Sequence, residues 1–178
     1  MNALGPVVRQ TPPVARPPVA LVPAGPQDAV TLAEIDRKAF PHPWTARDFA
    51  DALRQTSTAA TFAMAGAQPL GAILVQYDRF GKGDISINSL AVVPEARGHK
   101  IGETLMVAAL REAREKGCER AVLEVDVSNA PALRLYEKLG FEVRETLPNY
   151  YVDEGHDAYR MELPALQSPQ VGDRLGVE

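Results

Sequence analysis

Two carboxylates, a tyrosine and a glycine-bearing turn are the residues of this sequence whose types and spacing suit chemistry. In "RAVLEVDV" the two-residue repeat of a strand puts Val122, Glu124 and Asp126 on one face and Leu123, Val125 and Val127 on the other. Two acids on one face either meet solvent or serve proton transfer, and a strand lying between two helices belongs mid-sheet, where an idle glutamate is rare. Twelve positions after Glu124 comes Tyr136, in "APALRLYEKLG". The other face of that helix, Ala132, Leu133, Leu135 and Leu139, reads as core, and a tyrosine hydroxyl there needs a polar neighbour or a cleft edge. The stretch "RGHKIG", Arg97 to Gly102, joins a strand-like run to a helix-like run. Unpaired N–H groups and the positive end of a helix dipole make such a turn suited to a phosphate or pyrophosphate. An ordinary strand-to-helix turn with exposed Arg97 and Lys100 would read the same. A P-loop is disfavoured because no Gly-Lys-Ser/Thr closes a GxxxxG frame, and a dinucleotide fold because GxGxxG is absent.

The elements that must position these residues alternate along the chain. Helical spacing of Val30, Ala33, Ile35 and Ala39 predicts one short helix, and Thr45 as N-cap before Phe49, Ala52 and Leu53 predicts a second. Between them lies the loop "FPHPW". Three strands, "TAATFAMAG", "LGAILVQYDRF" and "DISINSLAVV", are joined by turn signals and read as an antiparallel meander. A longer helix follows from about Ile101 to Lys116, with Ile101, Leu105, Ala108, Ala109 and Ala113 on one face and Gly117 as its stop. "FEVRETLPNYY" and "HDAYRMEL" are the last two strands, and "VALVPA" is a candidate first one. The order is β-α-α-β-β-β-α-β-α-β-β, an α/β (α+β) fold with a mixed central sheet of about seven strands and four helices.

The chain has 178 residues, 46% of them hydrophobic, which suits one domain with its own core. Seven of the fifteen prolines fall in the first 26 residues, so residues 1–17 are expected to be a flexible arm, 18–163 the domain, and 164–178 a loose tail without periodicity. A net charge of −4 argues against nucleic-acid or membrane partners. No run approaches the roughly 18 apolar residues of a membrane helix, and the start is too broken by proline for a signal peptide. The single cysteine, Cys118, excludes an internal disulfide, fits a reducing cytoplasm and reads as a small buried thiol. His42 and His156, isolated from one another, make no metal site and read as bystanders.

"LAVVPEARGHKIGETLM" followed by "LEVDVSNAPALRLYEKLGF" resembles the acyl-CoA-binding core of the GNAT superfamily of N-acetyltransferases. With "AFPHPWTARDF" and "NYYVDEGHDAYRMEL", the likeness extends to the RimI-type branch, which acetylates the N-terminal alanine of a ribosomal protein. It runs from about Val19 to Leu163. The resemblance implies the GNAT fold and acetyl-CoA as co-substrate, with no metal. It places Arg97, Gly98, His99, Lys100, Ile101, Gly102 and Glu103 at the CoA pyrophosphate, although Lys100 stands where the family's (Q/R)-x-x-G-x-(G/A) turn has a glycine. Leu90, Ala91 and Val92 would pair through their backbone with the pantetheine arm, and Asn129 would contact that arm. Glu124 matches the family's general base and Tyr136 its general acid. Phe40, Trp44, Tyr150 and Tyr151 would line the acceptor groove, or else belong to the core. The implied reaction is direct attack of a protein N-terminal α-amine on acetyl-CoA in a ternary complex. An acetyltransferase for small amines or lysine side chains is an alternative on the same fold. An inactive CoA-binding module is another, for which Lys100 and the arm are the motive.

Two proton transfers set the energetics. An α-amine near pKa 8 and a glutamate near 4.3 make direct deprotonation uphill by roughly 5 kcal/mol, so Glu124 must be shifted, act through water, or hold the amine. Asp126 on the same face is a candidate for raising it by like-charge repulsion. A thiolate near 8.5 taking a proton from a tyrosine near 10 faces only about 2 kcal/mol.

Overall fold

A computed structural model describes residues 18–81, 83–152 and 155–177. The expected arm over 1–17 lies outside them. Seven strands form one sheet in the order β1-β2-β3-β4-β5-β7-β6: β1 Ala20–Ala24, β2 Thr58–Ala65, β3 Gln68–Tyr77, β4 Asp84–Val92, β5 Arg120–Asp126, β6 Glu142–Tyr151 and β7 His156–Leu163. Neighbours are antiparallel except β4 and β5, which are joined through α3, Ile101–Glu115, and run parallel. The mixed sheet, the meander and the element order follow the sequence pattern.

The helices deserve two corrections. In α1, Ala29–Ala39, the buried residues are Ala29, Leu32, Ile35 and Asp36, while Val30 is 63% exposed. Of the expected stripe, Ile35 is buried and Ala33 and Ala39 pack against the core, so Val30 alone points away, while Leu32 and Asp36 complete the inner face. In α3 the inward face is Ile101, Leu105, Met106, Ala109, Leu110 and Ala113, and Gly117, at φ +78°, ends it as expected. Helix α2, Ala46–Leu53, starts as predicted: Thr45 accepts from the Asp48 N–H at 3.2 Å, and Asp48 accepts from the Thr45 N–H at 2.9 Å. Helix α4 spans Ala130–Leu139.

The tail is not loose. Residues Pro169–Leu175 form α5, a fifth helix, and Leu166, Val171 and Leu175 belong to the core. Ser168 caps its first turn, Pro169 occupies the position where a missing N–H is harmless, and Gly176, at φ +66°, ends it. Arg111 of α3 donates to the carbonyls of Leu175 and Gly176, and Arg114 to those of Leu166 and Ser168. Two cations at carbonyls that α5 and its approach leave unpaired explain how so short a helix is held.

Both sheet edges are blunted. β1 is short and carries Pro23, and β6 has register irregularities at Val143/Glu145 and Leu147/Tyr151.

Candidate active site

The turn after β4 has two residues in the left-handed region, Gly98 at φ +78° and Lys100 at φ +61°. Lys100 is the N-cap of α3 and supplies no side-chain cap, so the first-turn N–H groups have no side chain folded over them. Gly98 has open space where a Cβ would stand. Gly102 faces Leu90 and Val92 of β4 and Leu135 of α4, which brings the turn beside the end of the sheet. Arg97 donates from Nε to the Val92 carbonyl at 3.4 Å, and His99 is exposed. Glu103 is held by Lys138 of α4 at 2.6 Å, which offsets its negative charge at an anion-binding end. These groups suit a pyrophosphate.

Beside that turn the sheet forks. Parallel pairs join β4 to β5 from Asp84↔Arg120 to Ile87↔Leu123 and then stop. β4 runs on to Val92 paired with β3, and β5 to Asp126 paired with β7. A bulge accounts for the divergence: Leu74 pairs with Ser89 and Val75 with Ile87, so Asn88 is the extra residue that bends β4. Leu90, Ala91 and Val92 therefore lie on a stretch whose β5 side is unpaired. Asn129, at the mouth of the fork, accepts from the Ala132 N–H at 3.2 Å as the N-cap of α4.

Glu124 is the first residue of β5 beyond the last pair with β4. Its side chain is 8% exposed, with Oε1 3.3 Å from Arg160 Nε and Oε2 3.9 Å from an Arg79 Nη1. Asp126 is otherwise engaged. It accepts from the Ser128 N–H and hydroxyl, both at 2.6 Å, and lies 2.9 Å from His156 Nδ1. Burial pushes Asp126 up, but these hydrogen bonds outweigh it and hold the carboxyl below its ordinary value. The neighbours that set Glu124's surroundings are thus two guanidiniums rather than Asp126, and His156 is a partner of Asp126 rather than a bystander.

Tyr136 is 7% exposed, its ring 5.9 Å from that of Phe141. Its ring packs in the core, while its hydroxyl, without a protein hydrogen bond among the described residues, is not sealed from solvent. Burial raises its pKa far above the usual phenol value, with Tyr151 adding to the shift, so it parts with its proton less readily than the sequence suggested. Tyr150 is 43% exposed and packs edge-on against Tyr151 at 5.2 Å. Its pKa is raised by burial and by the Glu124 charge, and eased by Arg79, with which its hydroxyl shares a hydrogen bond, and by Arg160. Phe40 and Trp44 are half-buried against the core, and Trp44 lies 5.4 Å from Phe49. Cys118 is buried, as expected, and burial raises its thiol.

The model of the acetyltransferase (GNAT) family matches residues 29–141. The chain belongs to that family. The acetyltransferase is 35% identical over 138 residues to a candidate ribosomal protein bS18-alanine N-acetyltransferase of Bacillus subtilis, covering 76% of this chain and 88% of that protein. Among solved structures, the ribosomal-protein-S18-alanine N-acetyltransferase of Escherichia coli superimposes with a TM-score of 0.76 at 25% identity, over 83% of this chain and 94% of that one. Naa50 of Arabidopsis thaliana, solved with the bisubstrate analogue CoA-Ac-MVNAL, superimposes with a TM-score of 0.72 at 25% identity, over 82% and 97%.

Sequence reading of the acetyltransferase missed two features of its site. Arg79 and Arg160 carry no local signature, because only the fold brings a turn residue and a β7 residue to β5. Asp36, 1% exposed, accepts from the Ser89 hydroxyl at 2.7 Å and the Trp44 N–H at 2.8 Å, tying α1 and the "FPHPW" loop to β4. An acid on the apolar side of an amphipathic helix was the available signal.

Proposed function

We propose that this acyltransferase moves the acetyl group of acetyl-CoA to the N-terminal α-amine of a protein, with a ribosomal protein as the acceptor. The fork between β4 and β5, with an uncapped helix start at its mouth and Glu124 at its apex, is the observation that carries this reading. Acetyl-CoA, when bound, supplies an activated acetyl thioester. The N–H groups from Gly98 through Glu103, with Arg97 and Lys100, hold its pyrophosphate. The free backbone of Leu90, Ala91 and Val92 holds the pantetheine arm, and one N–H there polarises the acetyl carbonyl. Asn129, already the cap of α4, retains its amide nitrogen for that arm.

Glu124 accepts a hydrogen bond from the acceptor amine, orients its lone pair, and takes the proton from the nitrogen once the C–N bond has formed, when that nitrogen is far more acidic than a free ammonium, before passing it to water. Tyr136 returns a proton to the departing sulfur; its high pKa keeps it protonated throughout the neutral range, at the expense of a steeper transfer than 2 kcal/mol. Phe40 and Trp44 on one loop and Tyr150 and Tyr151 on β6 form the acceptor lips. Support for an N-terminal acceptor comes from the similar solved structures, one a ribosomal-protein-S18-alanine N-acetyltransferase and one solved with the bisubstrate analogue CoA-Ac-MVNAL.

The test is a panel of peptides with different first residues, small amines, and N-terminally blocked peptides containing lysine, each offered with labelled acetyl-CoA. Label on free N-termini, greatest for ribosomal-protein sequences, is expected. Label on blocked lysine peptides or small amines alone would replace this reading, and CoA binding without any product would make the chain a binding module.

A further inference from the structure

Resting on that reading, we infer that Arg79 and Arg160 are positioning residues that make the acceptor site select the uncharged form of the amine. Both oxygens of Glu124 face a guanidinium, Arg160 at 3.3 Å and Arg79 at 3.9 Å. Each arginine is fixed in turn: Arg79 donates to Asn88 Oδ1 at 3.1 Å, Arg160 to Glu145 at 2.7 Å, and the two guanidiniums lie 4.8 and 5.2 Å from the Phe80 ring. Strand register accounts for Arg160, which stands opposite Glu124 on one side and Glu145 on the other. It does not account for Arg79, which comes from the turn after β3 and reaches across β4 to a strand with which β3 does not pair.

The charged groups at this end are Arg79, Arg160, Glu124 and Glu145, with Asp126 two residues along the same face of β5 but engaged by Ser128 and His156, and the Tyr150 hydroxyl in a hydrogen bond with Arg79. Glu145 is 53% exposed and screened by water, whereas Glu124 is sheltered and already has its counter-charge. An ammonium entering here would be a third cation beside one sheltered carboxylate. A neutral amine meets no such penalty and finds acceptor positions on Glu124 still open, since a carboxylate has about four and the arginines use one or two.

This arrangement answers the uphill proton transfer, because an amine taken up neutral needs no deprotonation before attack. It also sorts acceptors: at pH 7 about a tenth of an α-amine of pKa near 8 is neutral, against about one in 2,500 lysines of pKa 10.4. Selection of the neutral form thus favours N-termini over lysine side chains a few hundredfold.

The experiment compares the wild type with Arg79→Gln, Arg160→Gln and Arg160→Lys. With CoA present, calorimetry measures binding of a peptide whose α-amine is replaced by hydrogen and of the same peptide bearing an N-terminal trimethylammonium. The wild type should prefer the neutral analogue, both glutamine variants should lose about tenfold of that preference, one pKa unit of differential interaction, and the lysine variant should restore it. An unchanged preference in the glutamine variants, whatever happens to turnover, would reduce the arginines to sheet ladder. Failure of the wild type to bind either analogue would also overturn the inference. Turnover with labelled acetyl-CoA, read separately, tests the N-terminal reading. Discrimination between the analogues without acetylation of any N-terminus would sink that reading alone and leave the arginines selecting another neutral amine.

Discussion

Lys100 adopts a conformation that costs a lysine and not a glycine. Its φ of +61° places it in the left-handed region, at a penalty of about 1 kcal/mol. Lys100→Gly should therefore raise the melting temperature by about 2–4 °C. Acetyl-CoA affinity at high salt should be kept or improved; a large loss there would identify the lysine as a direct phosphate ligand. The conflict was visible in the sequence as a lysine in a glycine position, and the backbone angle supplies its reason. Glu124→Gln should lower kcat by about 10²–10⁴-fold with the circular-dichroism spectrum unchanged, and turnover equal to wild type in both Glu124→Gln and Tyr136→Phe would refute the roles proposed for them. Asp36 was not legible as a site residue. Burial raises its pKa above 3.8, despite bonds from Ser89 and the Trp44 N–H. The native state then holds a proton that the unfolded chain has released, so its contribution to stability falls as pH rises through 3.8 towards the raised native value. In Asp36→Asn the acceptor oxygen for Trp44 remains and the charge does not. Urea unfolding at pH 4 and pH 7 should show the variant gaining on the wild type at the higher pH.

At the scale of elements, α5 separates what pattern reveals from what capping reveals. Seven residues with two apolar side chains set no period, so the tail read as loose. The Ser-Pro start and the Gly end were the usable signals. Leu175 is 1% exposed, and Leu175→Ala should cost about 2–5 kcal/mol, read as a shift of the denaturant midpoint. If α5 were only an ornament, the shift would be negligible. α1 carries the opposite lesson. Its existence and three of its four expected inward residues were plain, but apolar Val30 was wrongly included, and the buried face includes Asp36, an acid that pattern reading treats as polar.

The molecule as a whole was legible where hydrophobic alternation dictates it: a meander, a helical crossover, then a hairpin. The charge network on β5, β6 and β7 was not. Arg120 joins Asp84 and Glu162, Arg144 reaches Glu162 at 3.8 Å, and Arg160 joins Glu124 and Glu145, all by pairings whose register no local sequence states. The fork was not legible in the strand pattern, since its cause is one unpaired residue, Asn88, in a strand that otherwise reads as regular. That bulge has a consequence for how the protein can change over generations. Main-chain hydrogen bonds are blind to side-chain identity, so an extended occupant of the free stretch of β4 would be sorted by its cross-section. Leu90 and Val92 can drift among residues of like volume while the groove keeps its width. Insertions or deletions near Asn88 would be purged, because they alter the width itself.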